Sequence, residues 1–460
     1  MPDLESSSRD DLIRIIVDLQ RQVEALRKEN EALRRKAKRS AAPFSKGTRK
    51  KDPKRPGRKP GQGDFSRRQA PAAASSGPPP VDVPVEETMC PFCGGSLERE
   101  EPEVASVTDM PARPEPEVGL FKVHVCRCGN CGWRTRGKHP DVAADQHGAT
   151  AHRVGPRIKA LAHWLHYGQG VPVRRLPAIL REMTGIAITQ SAITQDALRQ
   201  AEGPVAAAYL ELRARVRRAP VTYTDDTGWR VGGEAAYLMV FDTGQETVYQ
   251  IRPQHGNEQV REIIPGDYAG TLVTDRFSSY EAKELAGVDQ HKCLSHLIRN
   301  IVEVAESKEG KAKAFGRELK ALLQNANALW RQQRDGPVAN YADQAEQIER
   351  DLTHLLRPRR LRDADNQRIL DGIGLQHDRQ RVLNFLYKPE VEPTNNRAER
   401  ALRPAVIARK VSHCSKNLRG SEAFAAFTSI ARTAVKNGAA SVTDVFHRLS
   451  KNSIQPPGPC

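Results

Sequence analysis

The sequence predicts a multidomain α+β protein that runs from an N-terminal coiled coil, through a small zinc-binding unit, to an α/β core split by a helical insertion. Three observations carry this. Apolar residues near the N-terminus recur at alternating steps of four and three. Four cysteines stand in two CxxC pairs. From residue 220 the apolar period changes to two and later returns to a helical one. A chain of 460 residues is long enough for several folded units.

Residues 8–36 are expected to form the dimerising helix. Leu12, Ile16, Leu19, Val23, Leu26, Asn30 and Leu33 form a heptad seam. Ile16 and Val23 occupy one core position and leucines the other, while Asn30 falls on the β-branched position, where a buried amide favours a parallel two-stranded register. A single amphipathic helix on a globular core would carry the same pattern. The opening residues, MPDLESSSRDD, are acidic and lack the apolar centre of a secretory leader. No run approaches the ~18 apolar residues of a membrane span. A soluble, cytoplasmic protein without a membrane partner is expected.

Residues 37–88 read as a basic, proline-rich linker that cannot build a core. The whole chain carries a net charge of +16, and between Arg34 and Arg68 there are 15 basic residues against two acids, Asp52 and Asp64. Charge gathered this way suits a polyanion, because each neutralised phosphate releases condensed counterions. Arg55, Arg58 and Lys59 are the candidate phosphate contacts of this arm, and a solvated tether is the plainer reading of the same residues.

Residues 89–135 are expected to be the zinc unit. Cys90 and Cys93 make one knuckle, Cys128 and Cys131 the other, and four thiolates supply a closed tetrahedral site for structural Zn²⁺. The 34 residues between the knuckles exceed the usual spacing. Alternation in VGLFKVHVC suggests a β-hairpin filling the gap. His124 and Cys126 are bystanders, since CxxC spacing selects Cys128. Residues 150–215 read as helices with a break at Gly185 and a cap near Thr189 or Ser191. The pattern fits a DNA-binding helix–turn–helix or a plain helical hairpin.

The core follows in two parts, 219–296 and 391–436, separated by a helical insertion at 297–390 and followed by a helical tail at 437–460. APVTYTDDTGWRV, AAYLMVFDT and ETVYQIRP read as an antiparallel meander, NEQVREII as a helix, and GTLVTDRFSSY as a buried strand running into a loop. That order is the one expected of an RNase H-like fold. Within the insertion, Phe315, Leu319, Leu322, Ala326 and Leu329 form a core stripe. Asp225 or Asp226 is placed at the end of the first strand, Asp275 at the end of the fourth, and Glu399 at the opening of a later helix. In such a sheet the first and fourth strands are neighbours, so these carboxylates converge. Grouped carboxylates hold two hard divalent cations roughly 3.5–4 Å apart, which clamp the attacking and leaving oxygens of a phosphodiester. Taken singly, each aspartate is an ordinary turn former, and Glu399 could pair with Arg403 one turn on.

The motifs TDDTGWRVGG, LVTDRFSSY, HKCLSHLIRN and PTNNRAERALRP resemble those of the insertion-sequence-66 family of bacterial transposases, and the order of parts resembles it along nearly the whole chain. The resemblance implies a DDE triad of Asp225, Asp275 and Glu399 binding Mg²⁺ or Mn²⁺. Asp226 stands where the family has glutamate, and Thr394 where it often has an acid. Cys293, His296, Leu297 and Arg299 match a further family segment, and His296 is read as a packed scaffold residue or a DNA contact. The resemblance also implies that Arg397, Arg400, Arg403, Arg409 and Lys410 face DNA phosphates. It implies a nucleoid-associated transposase cutting and joining the terminal inverted repeats of an insertion sequence to target DNA. A homodimer and accessory proteins of the same element would assist. A catalytically silent DNA-binding descendant, or a nuclease that cuts without joining, would share the same core.

Overall fold

The computed structural model describes residues 8–37, 81–98, 115–139, 142, 146–148, 152–412 and 414–452. The chain divides into two units, Met1–Pro111 and Ala112–Cys460. In the first, α1 spans Arg9–Ala37. Its seam residues Ile16, Leu19, Val23 and Leu26 are each about half exposed. The side chains of Leu12, Asn30 and Leu33 lie outside the described residues, as do Arg55, Arg58 and Lys59. Farther along this unit, Cys90 begins a tight turn in which Gly94 donates to the Cys90 carbonyl at 2.9 Å.

The second unit opens with β1 (Val125–Arg127) and β2 (Arg134–Arg136), an antiparallel hairpin. The hairpin expected before Cys128 starts only at its last residues in the described chain. Among the described residues the paired strands bracket Cys128–Cys131, where the CxxC turn itself reverses the chain, and residues 99–114 of the expected hairpin lie outside the described residues. Helices α2 (Pro156–His163), α3 (Leu176–Thr184), α4 (Gln190–Ala201) and α5 (Pro204–Val216) follow. Gly185 ends α3 with φ of 73°, the left-handed stop that glycine adopts without a Cβ penalty. Thr189 caps α4 by accepting from the Ala192 amide at 3.1 Å. A π turn at Trp164–Gly168 joins α2 to a short helical turn before α3.

The core strands are β3 (Val221–Val231), β4 (Glu234–Asp242), β5 (Thr247–Arg252), β6 (Thr271–Thr274) and β7 (Asp289–Lys292), with α6 (Asn257–Arg261) before β6. They form one sheet in the order β5-β4-β3-β6-β7. The meander is antiparallel, and β6 and β7 run parallel to β3. Gly232 and Gly233, at φ of 62° and 93°, make the two-residue turn between β3 and β4. This mixed five-stranded sheet fits the core of a DDE transposase. Two features depart from expectation. β3 continues to Val231, so Asp225 and Asp226 lie inside the strand and not at its end. β7, with the polar sequence Asp289–Lys292, had no apolar signal to announce it; its Gln290, His291 and Lys292 are buried.

Strand alternation divides the sheet's two faces. Val221, Tyr223 and Trp229 pack with α7 (Leu294–Glu306), α8 (Gly310–Asp335), α9 (Tyr341–Leu356), α10 (Ala364–Asp378) and α11 (Asn396–Ser412). Met239, Phe241 and Leu272 face α5, α12 (Leu418–Lys436) and α13 (Val442–Asn452). In α8 the buried stripe is Phe315, Leu319, Leu323, Ala326 and Leu329. Leu322 is only partly buried, since the helix turns its 323 position more squarely to the core.

Candidate active site

Register brings two acids level. β3 and β6 pair in parallel as Val221↔Thr271, Thr222↔Leu272 and Tyr223↔Val273. Two residues farther along each strand stand Asp225 and Asp275, with about 4.8 Å between neighbouring strands. Asp225 shares the face of Val221 and Tyr223, the face that α11 covers. Asp275 leaves the strand and turns, its Oδ1 accepting from the Phe277 amide at 2.9 Å.

Glu399 lies in the first turn of α11, and two hydrogen-bond pegs fix that helix to β3. At its start, Asn395 Nδ2 donates to the Thr224 carbonyl at 2.7 Å. Near its end, Arg409 donates to Thr227 Oγ1 at 3.0 Å and to the Gly228 carbonyl. Between these pegs Asp225 and Glu399 line one cavity of about 370 Å³ together with Asp226, Thr227 and Arg403. Asp275 is not part of that lining, yet its charge reaches Asp225.

Burial first, and then the charges of Asp275 and Asp226, push the Asp225 carboxyl up to about 7. Asp226 is also raised, mainly by burial, and is held on the opposite face by His255 at 2.8 Å. Among the described residues, no three His, Cys, Asp or Glu side chains are gathered tightly enough to enclose a metal as they stand. The donors are all carboxylate oxygens, the type that suits hard divalent ions.

His296 is the residue that sequence reasoning undervalued. Its Nε2 stands 3.9 Å from Glu399 Oε1, and a hydrogen bond with Cys293 raises its pKa. The Cys-x-x-His spacing at the start of α7 was the available signal. Among the described residues Glu399 makes no ion pair with Arg403. The predicted arginines separate into two groups. Arg397 turns inward, 3.5 Å from Glu392 and 3.8 Å from Asp242, with its guanidinium over Tyr223. Arg409 is the peg described above. Arg400, Arg403 and Lys410 are exposed.

The CxxC turns match each other. Cys90 donates to the Gly95 carbonyl at 2.9 Å and Cys128 to that of Trp133 at 2.8 Å. Gly94 and Gly132 return hydrogen bonds to the two leading cysteines' carbonyls. Backbone amides of Phe92 and Cys93 lower the Cys90 thiol pKa, and those of Cys131 and Asn130 lower that of Cys128. Each turn is thus poised to present thiolates.

A search of curated proteins finds no match. A family model described as "Transposase IS66 family" matches residues 152–423. The matched stretch includes Asp225, Asp275 and Glu399 and covers more than half of the 460 residues, and the chain belongs to the IS66 family of transposases.

Proposed function

We propose that the chain catalyses metal-dependent cleavage of DNA strands at the ends of an insertion sequence and transfers those ends to target DNA. One observation carries the reading: Asp225 is pushed up to about 7 beside Asp275, in a cavity it shares with Glu399. Asp225, Asp275 and Glu399 would hold Mg²⁺ or Mn²⁺. Such ions, when bound, supply Lewis-acid activation of the attacking water or 3′-hydroxyl and of the leaving oxygen.

The protein's own residues do the positioning. Asn395 and Arg409 hold α11 against β3, so that Glu399 faces Asp225. His296, 3.9 Å from Glu399 Oε1, helps hold that side chain in place. Arg397 braces the start of α11 through Asp242 and Glu392. Arg400, Arg403 and Lys410 face the DNA backbone, where a guanidinium fork suits phosphate oxygens. Cys90, Cys93, Cys128 and Cys131 are proposed to hold Zn²⁺. The half-exposed seam of α1 is proposed to pair with a second copy, and accessory proteins of the element to join the assembly.

The test uses labelled element ends with purified protein and Mg²⁺. Wild type should give nicked and joined products, while Asp275→Asn should bind ends and give neither. Normal cutting by that variant would remove Asp275 from the site.

A further inference from the structure

A second cavity, of about 190 Å³, adjoins the acidic one; Arg403 and Ile407 of α11 line both. Its wall combines Arg400 and Arg403 from α11, Thr428 and Arg432 from α12, and the Gly168–Gly170 backbone that follows the π turn. Three arginines line it and no acid does. Among the described residues Arg400, Arg403 and Arg432 have no carboxylate within ion-pair distance, although Arg397 and Arg419 do.

Two buried polar atoms here have no partner. Thr428 is 1% exposed, and its Oγ1 meets no hydrogen-bonding group. Arg432 Nε is likewise buried and unpaired, while Nη2 donates to the Gly168 carbonyl at 3.1 Å. An orphaned buried hydroxyl or guanidinium nitrogen destabilises the fold. Thr428 and Arg432 are one helical turn apart, so both address the same space. A hydroxyl, a guanidinium N–H and two further cations around a small cavity form a set of donors for a tetrahedral oxyanion.

We infer that Thr428, Arg432, Arg400 and Arg403 form a phosphate subsite that grips one backbone phosphodiester of the DNA strand next to the scissile position. The inference rests on the proposed DNA chemistry and deepens it by giving the strand a direction. From the acids, the backbone crosses α11 at Arg403 and passes into the cleft between α12 and the π turn. Arg432 anchors the phosphate and Thr428 donates to it.

The experiment measures binding of a DNA end by full-length protein over a salt series, with cleavage scored separately. Thr428→Val removes the hydroxyl at nearly constant volume. It should leave thermal stability equal or higher, because the orphan is gone, and weaken DNA binding several-fold. Arg432→Gln should weaken binding about tenfold and reduce the salt slope by about one, with Arg432→Lys partly restoring both. A scan of single neutral methylphosphonate linkages should find one position near the scissile bond whose neutralisation weakens wild type but not Arg432→Gln. This second measurement holds even if the variant is less stable, since it compares two DNAs on one protein.

Unchanged affinity and slope in both variants, or equal methylphosphonate effects on wild type and Arg432→Gln, would overturn the subsite. Inorganic phosphate competing only at Arg432-dependent strength supports the same donors. If only free phosphate binds and no methylphosphonate position responds, the strand assignment is wrong. Cleavage by wild type with a silent Arg432→Gln leaves the proposed chemistry standing and sinks the subsite alone. Arg432-dependent binding without any cleavage does the reverse.

Discussion

Replacing Asp225 with asparagine should stabilise the metal-free protein strongly at alkaline pH and much less near pH 5. The sign follows from proton binding. Between the ordinary carboxyl value of 3.8 and about 7, the folded protein keeps a proton that the unfolded chain has released. Stability therefore falls as pH rises through that window. At about 1.4 kcal/mol per pH unit, the loss above pH 7 approaches about 4 kcal/mol, and solvent and salt screening reduce it. Asparagine has no proton to lose and escapes this penalty while filling nearly the same volume. Thermal melts in chelator at pH 5 and pH 8 measure it. The variant should melt slightly higher than wild type at pH 5 and several degrees higher at pH 8. Added Mg²⁺ should then raise wild type and not the variant, closing the gap. An equal difference at both pH values, or a less stable variant at pH 8, would refute the reasoning.

Glu281→Gln should cost about 3–5 kcal/mol in urea melts, because the fully buried Lys292 ammonium loses a carboxylate at 2.6 Å. Gln290 and Thr274 remain as neutral acceptors. Leu323→Ala should lose about 2–5 kcal/mol, and Leu322→Ala less, since only the former is fully buried; denaturant midpoints distinguish them. Cys128→Ser should lower bound zinc in elemental analysis of the purified chain, while Cys126→Ser should not; equal zinc in both would remove Cys128 from the ligand set.

Much of the core was legible because its sequence is periodic. The meander from Pro220 to Arg252, the cap at Thr189 and the stop at Gly185 each follow from a local signal that the structure keeps. β7 was not legible, since Asp289–Lys292 carries no apolar alternation. Its buried polar side chains are satisfied in good part by residues outside the strand, as when His291 meets Asn384 at 2.7 Å. The length of β3 was misread for a related reason. Asp225–Asp226–Thr227 reads as a strand end when only polarity is counted, but backbone pairing with β4 carries the strand past it. Among the site residues, the three acids stood out by order along the chain. The inward turn of Arg397 did not, because the acids it meets, Asp242 and Glu392, are remote in sequence. The Thr428–Arg432 pair looked like any turn of an apolar helix until its neighbours were known.

The two pegs on α11 have a consequence for how such a chain can diversify. Thr224 and the Thr227–Gly228 pair grip the helix on either side of Asp225, so the spacing from Asp225 to Glu399 is fixed locally and not by the long excursion through α8, α9 and α10. Those helices can lengthen, shorten or acquire new surfaces without retuning the acids, and the excursion is where one lineage can come to differ from another while the chemistry stays put.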